Sequence, residues 1–344
     1  MRIALAAGGT GGHLIPALNF ASWVRGQGDE AFLMTGSRPL EEEICSAFGE
    51  KPHVLPMRGS PFGAGLRHFP RRFWALFQAY RRAKKALREH KPDLVLVFGG
   101  YLSFPVAIAA LQLKLPLAAH EQNAVAGKVT RLLRRWGVPV FCGWPRCDGI
   151  DQFSYTGTPV RDFHLPDRAA ARKDLFGAKV DPTQKVALVL GGSLGSQGLA
   201  EAFDLESVLK CDKYCPCFMG LREDQAPFEG ALTLPARWDM SAPYAAADLV
   251  ICRAGGATLA EVASLGLPAL VLPWEKATDG HQLANAQELH RLQGTPFWQS
   301  DEGEEGFRQK LLQALNHQPM ASQATPAVEQ LYSALQKLEG KSKV

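Results

Sequence analysis

Two stretches decide the fold of this chain: Arg2-Ile3-Ala4-Leu5-Ala6-Ala7-Gly8-Gly9-Thr10-Gly11-Gly12-His13, and Lys185-Val186-Ala187-Leu188-Val189-Leu190-Gly191-Gly192-Ser193-Leu194-Gly195-Ser196. Each is a short apolar run that ends in a glycine-rich turn. Each turn leads into apolar residues at helical spacing: Leu14, Ala17, Leu18, Ala21 and Val24 in one, Leu199, Ala202 and Phe203 in the other. A strand, a glycine turn and a helix N-terminus together make an anion site, because bare backbone N–H groups and the helix dipole both favour phosphate. Two such units, half a chain apart, predict two nucleotide-type domains and two phosphate-bearing substrates.

The same alternation extends outward from both turns. In the first half, strands are expected at 2–7, 31–35, 53–56, 93–98, 116–120, 138–142 and 153–156, with helices at 14–26, 39–48, 71–90, 104–112 and 125–135. Gly157-Thr158-Pro159-Val160-Arg161 reads as a crossing point, since glycine and proline punctuate a chain. Beyond it, strands are expected at 185–190, 216–219, 231–234, 249–252 and 269–272, and helices at 197–209, 241–246, 256–265, 280–292, 304–316 and 325–339. The fold class is α/β, with two facing Rossmann-like, doubly wound parallel-sheet domains. The expected division is 1–157, 158–320, and a C-terminal helix and tail, 321–344, packing back on the first domain.

At 344 residues and 46% hydrophobic, the chain can bury two ordinary cores. A net charge of +4 gives no reason to expect nucleic acid as a partner. No apolar run approaches the roughly 20 residues of a membrane span, and no secretory signal precedes the first strand, so a soluble, cytoplasmic protein is expected. The seven cysteines have no framework spacing. The cluster Cys211, Cys215 and Cys217 lacks a fourth ligand at familiar spacing, so reduced thiols near a strand are expected rather than a metal site.

The first glycine turn fits neither the G-x-G-x-x-G dinucleotide spacing nor the G-K-[ST] ending of a P-loop. Its distinguishing feature is His13, where the helix begins. An imidazole there suits a general base; a structural hydrogen bond at a helix end is an equally good reading of the residue alone. A further turn, Gly99-Gly100-Tyr101, follows the apolar run 93–98, and His120-Glu121-Gln122-Asn123 follows another. Four polar residues at a strand end need partners; they either cap the next helix or reach a ligand, Asn123 above all. The densest stretch is Arg253-Ala254-Gly255-Gly256-Ala257-Thr258, where small residues let a diphosphate approach a helix start. Glu261, a turn further on, suits the two hydroxyls of a ribose. Gln282 and Asn285 are three apart on a helix and share a face, which suits the hydroxyls of a sugar.

With GGTGGHLIPA (8–17), GGYLSFP (99–105), HEQNAVAG (120–127), GTPVR (157–161), GGSLGS (191–196), RAGGATLAE (253–261) and HQLANA (281–286), the chain resembles the MurG family of bacterial peptidoglycan N-acetylglucosaminyltransferases, two-domain GT-B enzymes. The motifs occur in the family's order and span both domains. The resemblance implies inverting transfer of N-acetylglucosamine from UDP-N-acetylglucosamine to the C4 hydroxyl of the muramoyl sugar of undecaprenyl-pyrophosphoryl lipid I, giving lipid II. It implies His13 as the base and Gly11, Gly12, Gly99, Gly100 and Tyr101 around the acceptor diphosphate. The donor would be met by Thr10, Gly11, Gly12, Asn123, Arg161, Ser193, Arg253, Gly256, Ala257, Thr258, Glu261, Gln282 and Asn285. The chain has no D-x-D sequence, so neither a metal nor another cofactor is expected. Thr158, Leu194, Val97, Glu275 and Trp238 depart from the family's pattern, Trp238 where an apolar pair packs near the uracil.

Residues 67–90 are basic and aromatic. Phe73, Phe77, Tyr80, Ala83 and Leu87 recur at helical spacing and are expected to face the core. Phe69 and Trp74 fall off that stripe, among Arg71, Arg72 and Arg81. Alone this is a solvated basic helix; beside a lipid-linked acceptor it becomes a surface for anionic headgroups on the cytoplasmic face of the inner membrane, peripheral and reversible. Other cell-wall synthesis proteins are implied as further partners. Competing readings are a GT-B transferase acting on another lipid, a UDP-sugar epimerase, and a silent UDP-sugar-binding protein.

Overall fold

Ile3–Ala6 and Leu94–Val97 are buried at every position, as strands covered by helices on both faces must be. They are the two central strands of the first unit. The computed structural model describes residues 1–59, 69–181, 183–191, 199, 214–319 and 326–342. In the first unit, β1 (Arg2–Ala6), β2 (Glu30–Thr35), β3 (His53–Val54), β4 (Leu94–Val97), β5 (Leu117–Glu121), β6 (Val140–Cys142) and β7 (Ser154–Tyr155) form one parallel sheet in the order β3-β2-β1-β4-β5-β6-β7. The order reverses between β1 and β4. Such a switch point is where open α/β sheets bind ligands.

The connecting helices are α1 (Gly11–Gly26), α2 (Pro39–Ala47), α3 (Phe69–His90), α4 (Ser103–Gln112) and α5 (Lys128–Arg135). The core between α3, α4 and the sheet joins Ala79, Ala83, Ala86 and Leu87 to Val106, Ala107, Ala110, Val95 and Val97. The small residues on α3 let it lie close to α4. That geometry corrects the expected stripe: Phe73 is 59% exposed and Phe77 42%, beside Trp74 at 58%. At 1.5 Å per residue, α3 runs about 33 Å against about 15 Å for α4, so the first turns of α3 extend past their partner and keep their aromatics outside.

The second unit repeats the plan with β8 (Lys185–Leu190), β9 (Tyr214–Met219), β10 (Leu232–Leu234), β11 (Leu249–Cys252) and β12 (Ala269–Val271), parallel and ordered β10-β9-β8-β11-β12. Its core joins Ala187, Val189, Phe218, Ile251 and Leu270 to Phe307 and Leu311 of the helix Gly303–Asn316. Cys215 and Cys217 are buried in β9; Cys211 lies outside the described residues, as do Ser193, Leu194 and most of the helix expected at 197–209.

One helix was not expected. α6 (Arg168–Phe176) starts at Asp167, whose carboxylate accepts from the Ala170 N–H at 3.1 Å. An N-cap aspartate before an alanine-rich run is a readable start signal. Arg168 pairs with Asp248 at 2.7 Å, Arg172 pairs with it as well, and Asp248 also accepts from the Val186 N–H at 2.7 Å, tying α6 to the start of β8.

The first unit runs to Arg161 and the second begins at Asp162, four residues beyond the expected division at 157/158. Several contacts hold the crossing segment to the first unit. The Asn19 amide donates to the Pro159 carbonyl at 3.4 Å, and the Arg161 guanidinium lies over the Phe48 ring at 4.9 Å. The C-terminal helix (Ala327–Ser342) belongs to the first unit, where Tyr332 meets the Trp23 ring edge-on at 5.1 Å and donates its hydroxyl to Asp29.

Candidate active site

His13 sits in the first turn of α1, directly after the β1 turn. The N-cap residue Thr10 makes no side-chain cap and the first turn of the helix carries no acid. Gly99 and Gly100, after β4, hold φ values of +80° and +74° and press against the His13 ring. A Cβ on Gly99 would lie 3.2 Å from His13 Cε1, and one on Gly100 only 2.3 Å from the Gly8 carbonyl oxygen. The two glycine turns therefore close on each other around the imidazole at the switch point.

Glu41, which belongs to none of the motifs above, organises this loop. It is 1% exposed and accepts from the Gly9 N–H at 2.6 Å, the Tyr101 hydroxyl at 2.9 Å and the Arg38 N–H at 2.9 Å. Arg38 donates to the Gly9 carbonyl at 2.9 Å and lies over the Tyr101 ring at 5.1 Å. Burial and the adjacent carboxylate push the Tyr101 phenol well above its usual range. The Tyr101 hydroxyl thus braces the turn. Proline at the first helical position and glutamate at the third were the available signal.

Along the end of β5, side chains alternate as a strand requires. Glu121, 2% exposed, turns to α5: its carboxylate accepts from the Gly127 N–H at 3.0 Å, the Thr130 hydroxyl at 2.7 Å, and the Asn123 N–H and side-chain amide at 3.2 Å each. It shapes the turn that carries Asn123. His120 and Gln122 share the other side. Gln122 Oε1 lies 2.8 Å from His13 Nδ1, and Gln122 Nε2 lies 2.9 Å from both His120 Nδ1 and the His120 carbonyl. His120 Nε2 lies 2.9 Å from the Gly157 carbonyl. Burial lowers the His120 imidazole from an ordinary 6.5 to about 4, against the opposing pull of that carbonyl and of Glu121. The ring is neutral when folded, and the unfolded chain binds the extra proton. Stability is then full above the unfolded value of 6.5 and declines as pH falls towards about 4. At about 1.4 kcal/mol per unit, urea titrations over that window are expected to show a loss of about 3 kcal/mol that His120→Phe removes.

In the second unit, Arg253 leaves β11 and donates to the Leu272 carbonyl at 3.2 Å; burial lowers its guanidinium pKa and Glu275 opposes that. The helix Gly256–Leu265 begins at Gly255 with no side-chain cap and no acid in its first turn among the described residues. Gly256 and Ala257 are buried and Thr258 is half-buried. Glu261, 8% exposed, accepts from the Tyr244 hydroxyl at 2.8 Å through Oε2. Gln282, on the helix His281–Gln293, accepts from the Trp274 N–H at 2.8 Å, which fixes its Oε1 and directs its NH2. Asn285 is fully buried and donates to the Ala254 carbonyl at 2.9 Å. That bond braces the Gly255 turn. Trp238 is half-buried after β10.

This is the architecture of a GT-B glycosyltransferase, each unit bearing a glycine turn and an uncapped helix start. Residues 3–141 match the glycosyltransferase family 28 N-terminal domain and residues 186–338 its C-terminal domain, and the chain belongs to glycosyltransferase family 28. Among its relatives, a protein of Acidithiobacillus ferrooxidans is 36% identical over 84% of this chain and 81% of its own length. One of Neisseria meningitidis is 35% identical over 82% and 81%. Both are named UDP-N-acetylglucosamine–N-acetylmuramyl-(pentapeptide) pyrophosphoryl-undecaprenol N-acetylglucosamine transferase. The crystal structure of MurG from Acinetobacter baumannii is similar with a TM-score of 0.70 at 26% identity, over 98% of this chain and 99% of that one. A UDP-N-acetylglucosamine 2-epimerase from N. meningitidis shares the fold, with a TM-score of 0.61 at 15% identity over 98% and 100% of the two chains.

Proposed function

We propose that this protein is the inverting transferase its relatives are named for, moving N-acetylglucosamine from UDP-N-acetylglucosamine to the C4 hydroxyl of the muramoyl sugar of an undecaprenyl-pyrophosphoryl acceptor. The observation that carries this reading is the His13 imidazole, set between two glycine turns at an uncapped helix start, in a chain of this family. The bond from the acceptor O4 to the anomeric carbon forms as the bond from that carbon to the UDP oxygen breaks. The O4 proton passes to His13 Nε2, and UDP leaves with the electron pair. The first unit holds the acceptor, its diphosphate on the N–H groups of Gly11, Gly12, Gly99 and Gly100. The second unit holds the donor, with Ser193, Arg253 and the N–H groups from Gly256 to Thr258 on its nucleotide and phosphates, Glu261 on the ribose and Gln282 on the amino sugar. Helix-terminal N–H groups and a guanidinium supply charge stabilisation for the leaving diphosphate, so the proposal includes no metal or other cofactor. The test is UDP release, which should require both the donor and a lipid I analogue; release that ignores the acceptor would refute transfer.

The carboxylate of Glu261 is pre-aligned by Tyr244. Glu261→Ala is expected to weaken donor binding about 100-fold, as loss of charge-assisted hydrogen bonds to a diol implies, read as the KM for UDP-N-acetylglucosamine with kcat much less affected.

The same reading places the protein peripherally on the cytoplasmic face of the inner membrane. No described helix is long and apolar enough to cross a membrane. Trp74 and Phe77 stack at 5.8 Å, and Arg81 lies over Phe77 at 6.0 Å. With Phe73, Arg71 and Arg72 they present aromatics among cations, which suits shallow insertion into anionic lipid. Phe69 opens α3, but its side chain lies outside the described residues. Trp74→Ala combined with Phe77→Ala is expected to lower partitioning onto anionic vesicles about tenfold, measured by cosedimentation, with turnover on a water-soluble acceptor unchanged.

A further inference from the structure

The hydrogen bonds behind His13 have only one consistent direction, and two backbone carbonyls set it. A carbonyl oxygen only accepts. His120 Nε2, 2.9 Å from the Gly157 oxygen, must therefore carry a proton. The neutral ring then leaves His120 Nδ1 as an acceptor. Gln122 lies against that Nδ1 and against the His120 carbonyl, at 2.9 Å each. Both are acceptors, so the Gln122 amide must present its NH2 to them and its Oε1 to His13. Oε1 only accepts, and it lies 2.8 Å from His13 Nδ1. His13 Nδ1 must carry the proton, and His13 Nε2, which makes no hydrogen bond to a described residue, is left with a bare lone pair.

We infer that Gln122 and His120 are positioning residues that hold His13 in its Nδ1–H tautomer, so that Nε2 faces the acceptor hydroxyl ready to take its proton. The inference rests on the reading of His13 as the base. The opposite tautomer would point an N–H at the hydroxyl and leave no base in place. After proton transfer His13 donates from both nitrogens, and Gln122 Oε1 accepts from Nδ1 as before, so the chain of bonds need not rearrange during the step. Burial keeps His120 neutral and its Nδ1 free to accept. The flanking groups fix the rings: Phe98 packs on His120 with centroids 5.3 Å apart, and Gly99 and Gly100 press on His13. An amide in this position differs from a carboxylate in orienting the imidazole without adding a charge beside it.

The predictions separate by residue. Gln122→Met keeps the length and removes all three side-chain hydrogen bonds. It is expected to lower kcat about 100-fold, within the range for losing a correctly poised base, with the KM for donor unchanged. His120→Phe leaves the backbone carbonyl of residue 120 to hold the Gln122 amide, so its loss should be smaller, about tenfold. The decisive readout is the tautomer itself, from long-range 1H–15N correlation spectra of the full chain labelled with 15N-histidine. The His13 signals are assigned by their loss in His13→Ala. The expected result is a protonated Nδ1 and a bare Nε2 on His13, and a protonated Nε2 on His120, with the His13 preference lost in Gln122→Met. A protonated Nε2 on His13 in the wild type would overturn the inference, as would Gln122→Met turning over at the wild-type rate. Retained turnover in His13→Ala would instead sink the reading of His13 as base, a separate failure, because the spectra report the tautomer whether or not the protein is active.

Discussion

Replacing His13 with alanine is expected to lower kcat about 1,000-fold, the scale of general-base catalysis, while UDP binds as before. The expectation follows from the position of the residue. The ring lies against the Gly99–Gly100 turn of the first unit, and the elements proposed to hold the donor's phosphates belong to the second unit, on a different sheet. Removing the imidazole takes away the proton acceptor and leaves those donor elements intact. Turnover measured with saturating donor, alongside calorimetry of UDP binding, separates the two effects. Full turnover in His13→Ala would assign the base elsewhere, and lost UDP affinity would mean that the residue acts on the donor.

The second large effect is expected at Gly100. Its φ of +74° is strained for any residue with a Cβ, and that atom would meet the Gly8 carbonyl at 2.3 Å. Neither backbone can give way easily, because Gly8 is packed against Leu102 and Glu41. Gly100→Ala is therefore expected to cost about 3 kcal/mol of stability from strain and overlap together. It should also lower kcat/KM at least about 100-fold by moving the turn off His13. Denaturant unfolding and steady-state kinetics on the same preparation check both. Wild-type stability with wild-type kinetics would mean that the two turns are free to separate, contrary to the packing described.

Much of this was legible in the sequence because the central strands β1, β4, β8 and β11 are apolar runs that lead into glycine or arginine. β8 at Lys185–Leu190 and β11 at Leu249–Cys252 match their expected limits residue for residue. His13 and the Gly99–Gly100 turn were legible as well, since a parallel sheet brings together the loops at the C-terminal ends of its strands. Periodicity failed where it had to decide what a face meets. Phe73 and Phe77 lie on an apolar stripe, but nothing in α3 itself records that α4 is too short to cover them. Gln282 and Asn285 do sit three apart on one helix, yet only packing determines that Asn285 turns to the Ala254 carbonyl. Glu41 escaped notice for a related reason. Its partners Gly9 and Tyr101 are 32 and 60 residues away, joined only when the strands pair.

The central claim is tested most directly by identifying the product formed from UDP-N-acetylglucosamine and a lipid I analogue. The account predicts a β-linked disaccharide lipid at the muramoyl C4 hydroxyl, formed in equal amount with UDP and established by mass and by the anomeric proton coupling. UDP binding without a disaccharide, a product with the donor's anomeric configuration, or release of an epimerised sugar would contradict it.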